Sequence, residues 1–147
     1  MAESAAPGKT SWHFWTVGIV SLLWNSIGGL DYVMTKTRNP DWLASFTPEQ
    51  IAWFESFPLW ANTAWALGVW GAFAGSVLLL MKRALAFHAF AISFAGLVLA
   101  SIYQFGLGNM PKSLMTTGGT MFTAILWAIA IFLVWYAAKL RKDGVLR

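Results

Sequence analysis

The sequence predicts an all-α fold, a polytopic integral membrane four-helix bundle with a short interfacial helix between its first and second spans. Composition is the first observation, because 58% of the 147 residues are hydrophobic and only 11% are charged. Such a chain has too little polar surface to cover a soluble globule. The apolar residues also form four runs of membrane length, and the basic residues collect on one side of the resulting topology.

The four apolar runs cover approximately residues 12–34, 59–81, 85–105 and 119–138. A helix rises about 1.5 Å per residue, so about 20 residues cross the roughly 30 Å hydrocarbon core of a bilayer. Because these spans take up most of the chain, we expect residues 1–147 to form a single membrane domain. The first run is longer than the apolar part of a secretory signal, and no small-residue cleavage site follows it, so we expect a retained helix.

Basic residues indicate the orientation of this bundle. The side with both termini holds seven of the ten, namely Lys9, Lys82, Arg83, Lys139, Arg141, Lys142 and Arg147. Cytoplasmic loops carry the excess of Lys and Arg, so we expect a multi-pass protein of the bacterial inner membrane with both termini cytoplasmic. The tail KLRKDGVLR is interpreted as a topology anchor beside anionic lipid. Because topology accounts for the net charge of +4, we do not interpret that charge as affinity for nucleic acid and expect no nucleic-acid partner.

The loop after the first span contains a helix start at FTPEQ. Thr47 can cap the helix, Pro48 fits its first position, and Gln50 completes a capping box. We therefore expect a helix over approximately residues 48–57, ending before Pro58. Its apolar residues predict that it lies along the outer membrane surface or over the mouth of the bundle: Ile51, Trp53, Phe54 and Phe57.

Small residues recur in the second span at steps of three and four. We predict a helix-packing surface there, formed by Gly68, Gly71, Ala72 and Gly75. Membrane helices associate through close contact between such small side chains, because lipid supplies no hydrophobic drive for association. The partner helix belongs either to the same chain or to a second protomer. In the second case the protein would form a homodimer or part of a larger membrane complex.

Polar and aromatic residues from three spans map to the outer half of the bundle. They predict a candidate cavity with an aromatic wall that opens to the outside, lined by Trp24, Asn25, Asp31, Tyr32, Asn62, Trp65, Tyr103 and Gln104. A mid-membrane amide turned toward lipid would lose its hydrogen bonds, so we expect Asn25 to face inward. The alternative is that each amide only bonds a neighbouring helix, and that Asp31 anchors a helix end near water.

No constellation of catalytic residues is visible in the sequence. Nucleophile triads, paired catalytic carboxylates, zinc-protease motifs and phosphate-binding glycine loops are absent, and there is no cysteine. His13 and His88 lie at similar depth, but two isolated histidines are better explained by solvation at the interface than by haem ligation. We therefore expect no enzyme activity, no cofactor and no metal site.

Three stretches, LLWNSIGGLDYVMTKTRN, FTPEQIAWF and FPLWANTAWALGVWGAFAGSVLLL, resemble an uncharacterised family of small four-span bacterial inner-membrane proteins. Some members of that family are labelled sugar-transporter-like. The resemblance covers most of the chain. Any functional role implied by the resemblance applies to the positions that match its two motifs, namely Trp24, Asn25, Gly28, Gly29, Asp31 and Tyr32, and Trp60, Asn62, Trp65 and Trp70.

Two functions from different classes follow from these patterns. The first is a small-molecule binding or transport-related protein that takes a small polar or amphipathic ligand in the outer cavity. Four spans are few for alternating access, so transport would require a dimer. The alternative is a non-catalytic accessory or scaffold subunit of a larger membrane complex, which fits the small-residue stripe and the missing catalytic groups.

Overall fold

The computed structural model describes residues 12–147, and within that range the chain is all-helical with no strand. The long helices are α1 (Trp12–Lys36), α4 (Leu59–Leu80), α5 (Leu85–Ile102) and α6 (Thr117–Lys142). Two short helices, α2 (Pro40–Leu43) and α3 (Pro48–Glu55), form the first connection. A π-helical turn at Tyr103–Leu107 and a 3₁₀ turn at Lys112–Leu114 lead from α5 to α6.

All four predicted spans are present as helices long and apolar enough to cross a membrane, which confirms the all-helical class. The first helix extends to Lys36 rather than residue 34, and the last runs over Thr117–Lys142 rather than 119–138. Basic residues in the last turn complement the negative end of the α6 dipole, which explains why that helix continues through its charged tail. Lys9, used in the charge count, lies outside the described residues.

The predicted start of α3 is confirmed in detail. The Gln50 backbone N–H donates to the Thr47 hydroxyl at 3.1 Å, and the Thr47 N–H donates to the Gln50 side-chain oxygen at 3.1 Å. Pro48 occupies the first turn, as expected. The helix ends at Glu55, slightly before the predicted residue 57, and Pro58 then serves as the N-cap of α4.

The helices meet at two ends with different character. We call the end that holds Trp12, Lys82 and Lys142 the basic end, and the end that holds Lys36 and α3 the capped end. Helix α4 packs against both α1 and α5, and α5 packs against α6. Contact between α1 and α6 is made by side chains, with the Trp24 ring 6.1 Å from that of Phe122.

The closest helix crossing lies between α4 and α5. A Cβ built on Gly96 would lie 2.6 Å from the Ala64 carbonyl oxygen and 2.7 Å from the Gly68 nitrogen. The Ser93 hydroxyl donates to the Gly68 carbonyl at 2.6 Å, and Gly75 lies under the Phe90 ring. The partner of the predicted stripe is therefore a helix of the same chain.

Gly71 and Ala72 lie on two different contacts of α4. A Cβ on Gly71 would lie 3.2 Å from the Ala89 carbonyl oxygen of α5, so this glycine also belongs to the α4–α5 crossing. The Ala72 carbonyl instead accepts a hydrogen bond from Asn25 of α1. The predicted packing residues are thus divided between two sides of α4, with the three glycines facing α5 and Ala72 facing α1.

Candidate functional site

The capped end is closed by α3 and by the turns that follow α5. The Trp53 indole N–H donates to the Gly108 carbonyl at 2.6 Å, and the Gln50 amide donates to the Ser113 hydroxyl at 2.9 Å. Trp53 and Phe57 are buried together with residues from α4 and the π-helical turn. Helix α3 is thus fastened over the ends of α4 and α5 by two hydrogen bonds and an aromatic cluster.

Asn25 lies at the α1–α4 contact. It is 8% exposed, and its amide donates to the Ser76 hydroxyl at 2.7 Å and to the Ala72 carbonyl at 3.1 Å. Trp24, its neighbour in sequence, points toward α6 and contacts Phe122. The two residues therefore leave α1 on different faces, and both donor positions of the Asn25 amide are used between helices.

Asp31 and Tyr32 lie in the last third of α1, toward the capped end. The Asp31 carboxylate accepts a hydrogen bond of 2.9 Å from the Trp42 indole, which joins α1 to α2. The Tyr32 ring lies 4.7 Å from that of Trp65 and 5.8 Å from that of Trp70. Asp31 thus orients the connection that follows α1, while Tyr32 belongs to an aromatic contact with α4.

Asn62 connects the start of α4 to both neighbouring segments. Its amide donates to the Phe57 carbonyl at 2.9 Å, and its oxygen accepts from the Lys36 ammonium at 3.1 Å. The same ammonium lies 6.0 Å from the centre of the Trp65 ring, within the range of a cation–π contact. Asn62 and Trp65 therefore hold the Lys36 side chain across the end of α1.

Tyr103 and Gln104 belong to the π-helical turn. Tyr103 is buried, with its ring 4.8 Å from Phe57 and 5.6 Å from Trp60. Gln104 is half-buried, and its side chain makes no hydrogen bond to another residue in the range 12–147. Seven of the eight predicted cavity residues are thus divided among the contacts of α1 with α2, α4 and α6 and the aromatic cluster under α3.

An open cleft does lie at the capped end, beside this cluster. Its volume is about 150 Å³, and its lining consists of Thr35, Lys36, Arg38, Phe54, Glu55 and Trp65. Trp65 is the member of the predicted set that lines it. The other five residues were not predicted as a site, although Lys36 and Arg38 follow the first span and Glu55 lies in the predicted interfacial helix, so opposite charges on the two sides of this connection could have indicated one.

Charge in the cleft is unevenly compensated. The Arg38 guanidinium and the Glu55 carboxylate pair at 3.0 Å, and both side chains remain largely exposed, so solvent screens the pair. Lys36 contacts only an amide oxygen and an indole ring, with no carboxylate partner among residues 12–147. The cleft therefore carries one positive charge that a bound anion could neutralise.

Arg38 reaches the cleft through an unusual backbone conformation. It has a φ of 56°, in the left-handed region that favours glycine. The turn satisfies the end of α1, since the Asn39 N–H donates to the Met34 carbonyl at 3.0 Å and the Arg38 N–H to the Thr35 carbonyl at 3.2 Å. An arginine at this position places its guanidinium beside Glu55, which a glycine would leave unpaired.

Comparisons of the chain with protein-family models, with curated proteins and with solved structures find no match. The family resemblance of the three quoted stretches therefore stays an expectation.

Proposed function

We propose that this protein is a multi-pass protein of the bacterial inner membrane, with both termini cytoplasmic, that binds a small amphipathic molecule at its capped end. The orientation rests on the distribution of basic residues. The observation that supports binding is the cleft of about 150 Å³ in which Lys36, uncompensated by a carboxylate, faces the Trp65 indole. An ammonium beside aromatic rings suits a ligand with one anionic group and one apolar part.

The size of the cleft limits what it can hold. The cleft is small and open to one side, with a volume of about 150 Å³, so we expect it to enclose one compact polar group of a ligand and to leave the rest of that ligand over the surface. We expect that group to be a carboxylate, phosphate or sulfate near Lys36. The apolar part of the ligand would then lie over Phe54 and Trp65, where burial of apolar surface adds to the affinity.

Binding is better supported than transport. Deeper in the bundle, the Asn25 amide is bonded to α4, and the Gly96 backbone lies against the Ala64 carbonyl. A ligand that crossed the bundle would have to separate these contacts. We therefore propose that the protein binds its ligand at the capped end, on the outer face of the membrane. The close-packed spans keep the residues of that end in position.

One observation favours an accessory subunit as the second candidate. The first half of α6 exposes small side chains at steps of four, namely Thr120, Ala124 and Ala128. Membrane helices use such small-residue surfaces for close association, so this face suits another membrane helix. In that case the protein would act by contact with a partner subunit, and the cleft would be secondary.

Native mass spectrometry of the protein after mild detergent extraction separates the two functions. A bound small molecule is the result expected from the cleft, and it should be lost in Lys36→Gln. Lys112→Gln removes the same charge from an exposed residue at the same end but outside the cleft, so it should retain the molecule. A heterologous subunit with no small molecule, or equal retention in both variants, would contradict the cleft proposal.

A further inference from the structure

A second groove lies at the basic end, between the start of α5 and the last turns of α6. Its volume is about 320 Å³, and its lining consists of Phe87, Ala138, Arg141 and Lys142. Phe87 belongs to α5, and the other three residues share one face of α6 because they follow at steps of three and four. The groove is therefore an interhelical feature with an aromatic wall, a small residue and two cations.

The two cations of the groove have no counter-ion within the described part of the chain. The Arg141 guanidinium lies 5.5 Å from the centre of the Phe87 ring, so its apolar contact is with α5. Neither Arg141 nor Lys142 forms an ion pair within residues 12–147. The nearby carboxylate of Asp143 is paired with Lys139 at 3.3 Å, one helical turn away on a neighbouring face.

The chain after α6 holds this groove in place. The Val145 N–H donates to the Leu140 carbonyl at 2.9 Å, Leu146 is buried in the core of the basic end, and the Arg147 N–H donates to the Lys82 carbonyl at 2.8 Å. These contacts fix the last turn of α6 against the α4–α5 connection. The cationic side chains thus start from a rigid backbone, which lowers the entropy lost when they bind.

The start of α5 adds to the positive character of the groove. Ala84 occupies the N-cap position and provides no side-chain hydrogen bond to the first turn. The positive end of the α5 dipole therefore lies beside the groove without a neutralising cap. This contribution is secondary to the two side chains, and it has the same sign.

We propose that this groove binds the phosphate of an anionic phospholipid. Arg141 and Lys142 would contact the phosphate oxygens, and Phe87 and Ala138 would contact the beginning of the acyl chains. Basic pockets between membrane helices bind such headgroups, and the end of two spans lies at headgroup depth. The role is more specific than a topology anchor, since the groove places two cations and an aromatic ring around one phosphate, whereas scattered charges attract any anionic surface. It is independent of the ligand of the cleft.

Native mass spectrometry of the full chain in detergent tests the proposal, with dioleoyl phosphatidylglycerol as the probe. We expect a saturable lipid adduct that dioleoyl phosphatidylcholine and inorganic phosphate fail to displace. The double variant Arg141→Gln, Lys142→Gln should bind about thirtyfold more weakly, since each cation near anionic lipid contributes about fivefold. Lys139→Gln is the matched control, because it removes a charge from the same helix end outside the groove, and it should keep the native affinity.

A charge-preserving variant guards against loss of folding in the double variant. Ala138→Leu fills the groove while Arg141 and Lys142 remain, and it should abolish the saturable adduct. Native affinity in Ala138→Leu, or an equal loss in Lys139→Gln, would overturn the proposal in favour of unspecific charge attraction. Displacement by phosphatidylcholine or by inorganic phosphate would overturn it as well, because the site would then not select an anionic phospholipid.

Discussion

The side-chain amide of Asn25 lies 2.7 Å from the hydroxyl of Ser76 and joins α1 to α4 in the interior of the bundle. The Ser76 hydroxyl in turn donates to the Ala72 carbonyl at 3.0 Å, which also accepts from Asn25. This triangle of polar groups satisfies the amide donors without water. It also gives the amide in the motif WNSIGGLDY a definite structural partner.

Replacing Asn25 should therefore lower stability and leave the cleft unchanged. Interhelical hydrogen bonds in membrane proteins contribute about 0.6 kcal/mol on average, so we expect Asn25→Leu to cost about 1 kcal/mol, measured by thermal unfolding in detergent. A double-mutant cycle with Ser76→Ala should give a coupling energy that differs from zero. Loss of ligand in a fully stable Asn25→Leu protein would instead support the predicted cavity role.

The close crossing of α4 and α5 at Gly96 leads to a prediction about packing. Gly96→Ala should destabilise the protein by about 1–3 kcal/mol, because a Cβ there meets backbone atoms of α4 that cannot move independently. Gly28→Ala is the matched control, since a Cβ at Gly28 has no neighbour within 4 Å. Thermal unfolding of both variants checks the prediction. Equal stability of the two would contradict the close α4–α5 crossing.

Arg38 links backbone strain to the cleft. Arg38→Gly and Arg38→Gln both remove the guanidinium, but only glycine accepts a φ of 56° without steric cost. The glycine variant should therefore be more stable than the glutamine variant by about 1 kcal/mol. Chemical denaturation measures this difference. If the cleft binds an anion, both variants should retain less ligand than the native protein, despite their different stabilities.

The spans and the helix starts were predictable because they depend on neighbours in sequence. Four apolar runs give four helices whatever their partners are, and the hydrogen bonds between Thr47 and Gln50 lie within one turn. The packing stripe on α4 was predictable as a surface, because small residues at helical spacing favour close approach. Its partner was not, since the choice between α5 and a second protomer depends on tertiary structure.

The cleft was harder to predict because it depends on how the first connection folds back. The Arg38–Glu55 pair depends on the position of α3, which the Trp53 hydrogen bond to the turn after α5 helps to fix. The conformation of Arg38 was also hidden, since sequence patterns favour glycine at such a position. The predicted cavity residues come from neighbouring helices, and several aromatic side chains among them pack against other aromatic rings.

The orientation gives a prediction that is independent of the sites. Arg83→Cys, at the basic end, should be protected from an impermeant thiol reagent in intact cells, whereas Ala44→Cys, at the capped end, should be labelled. Both positions are exposed, and the native chain has no cysteine to interfere. Labelling of Arg83→Cys with protection of Ala44→Cys would reverse the topology.

Variants at the contact between Asp31 and Trp42 distinguish the charge of Asp31 from its ability to accept a hydrogen bond. The carboxylate accepts the indole N–H at 2.9 Å, and an asparagine oxygen can accept the same hydrogen bond. Asp31→Asn should therefore fold with nearly native stability, whereas Asp31→Leu removes the acceptor of a half-buried indole donor and should cost about 1 kcal/mol. Trp42→Phe removes the donor, so in that background Asp31→Leu should lose most of its effect. Thermal unfolding of the native protein, Asp31→Leu, Trp42→Phe and the double variant measures this coupling. If Asp31→Asn instead abolished ligand retention with folding intact, the charge itself would have a role in binding, and the anchoring interpretation of Asp31 would be wrong.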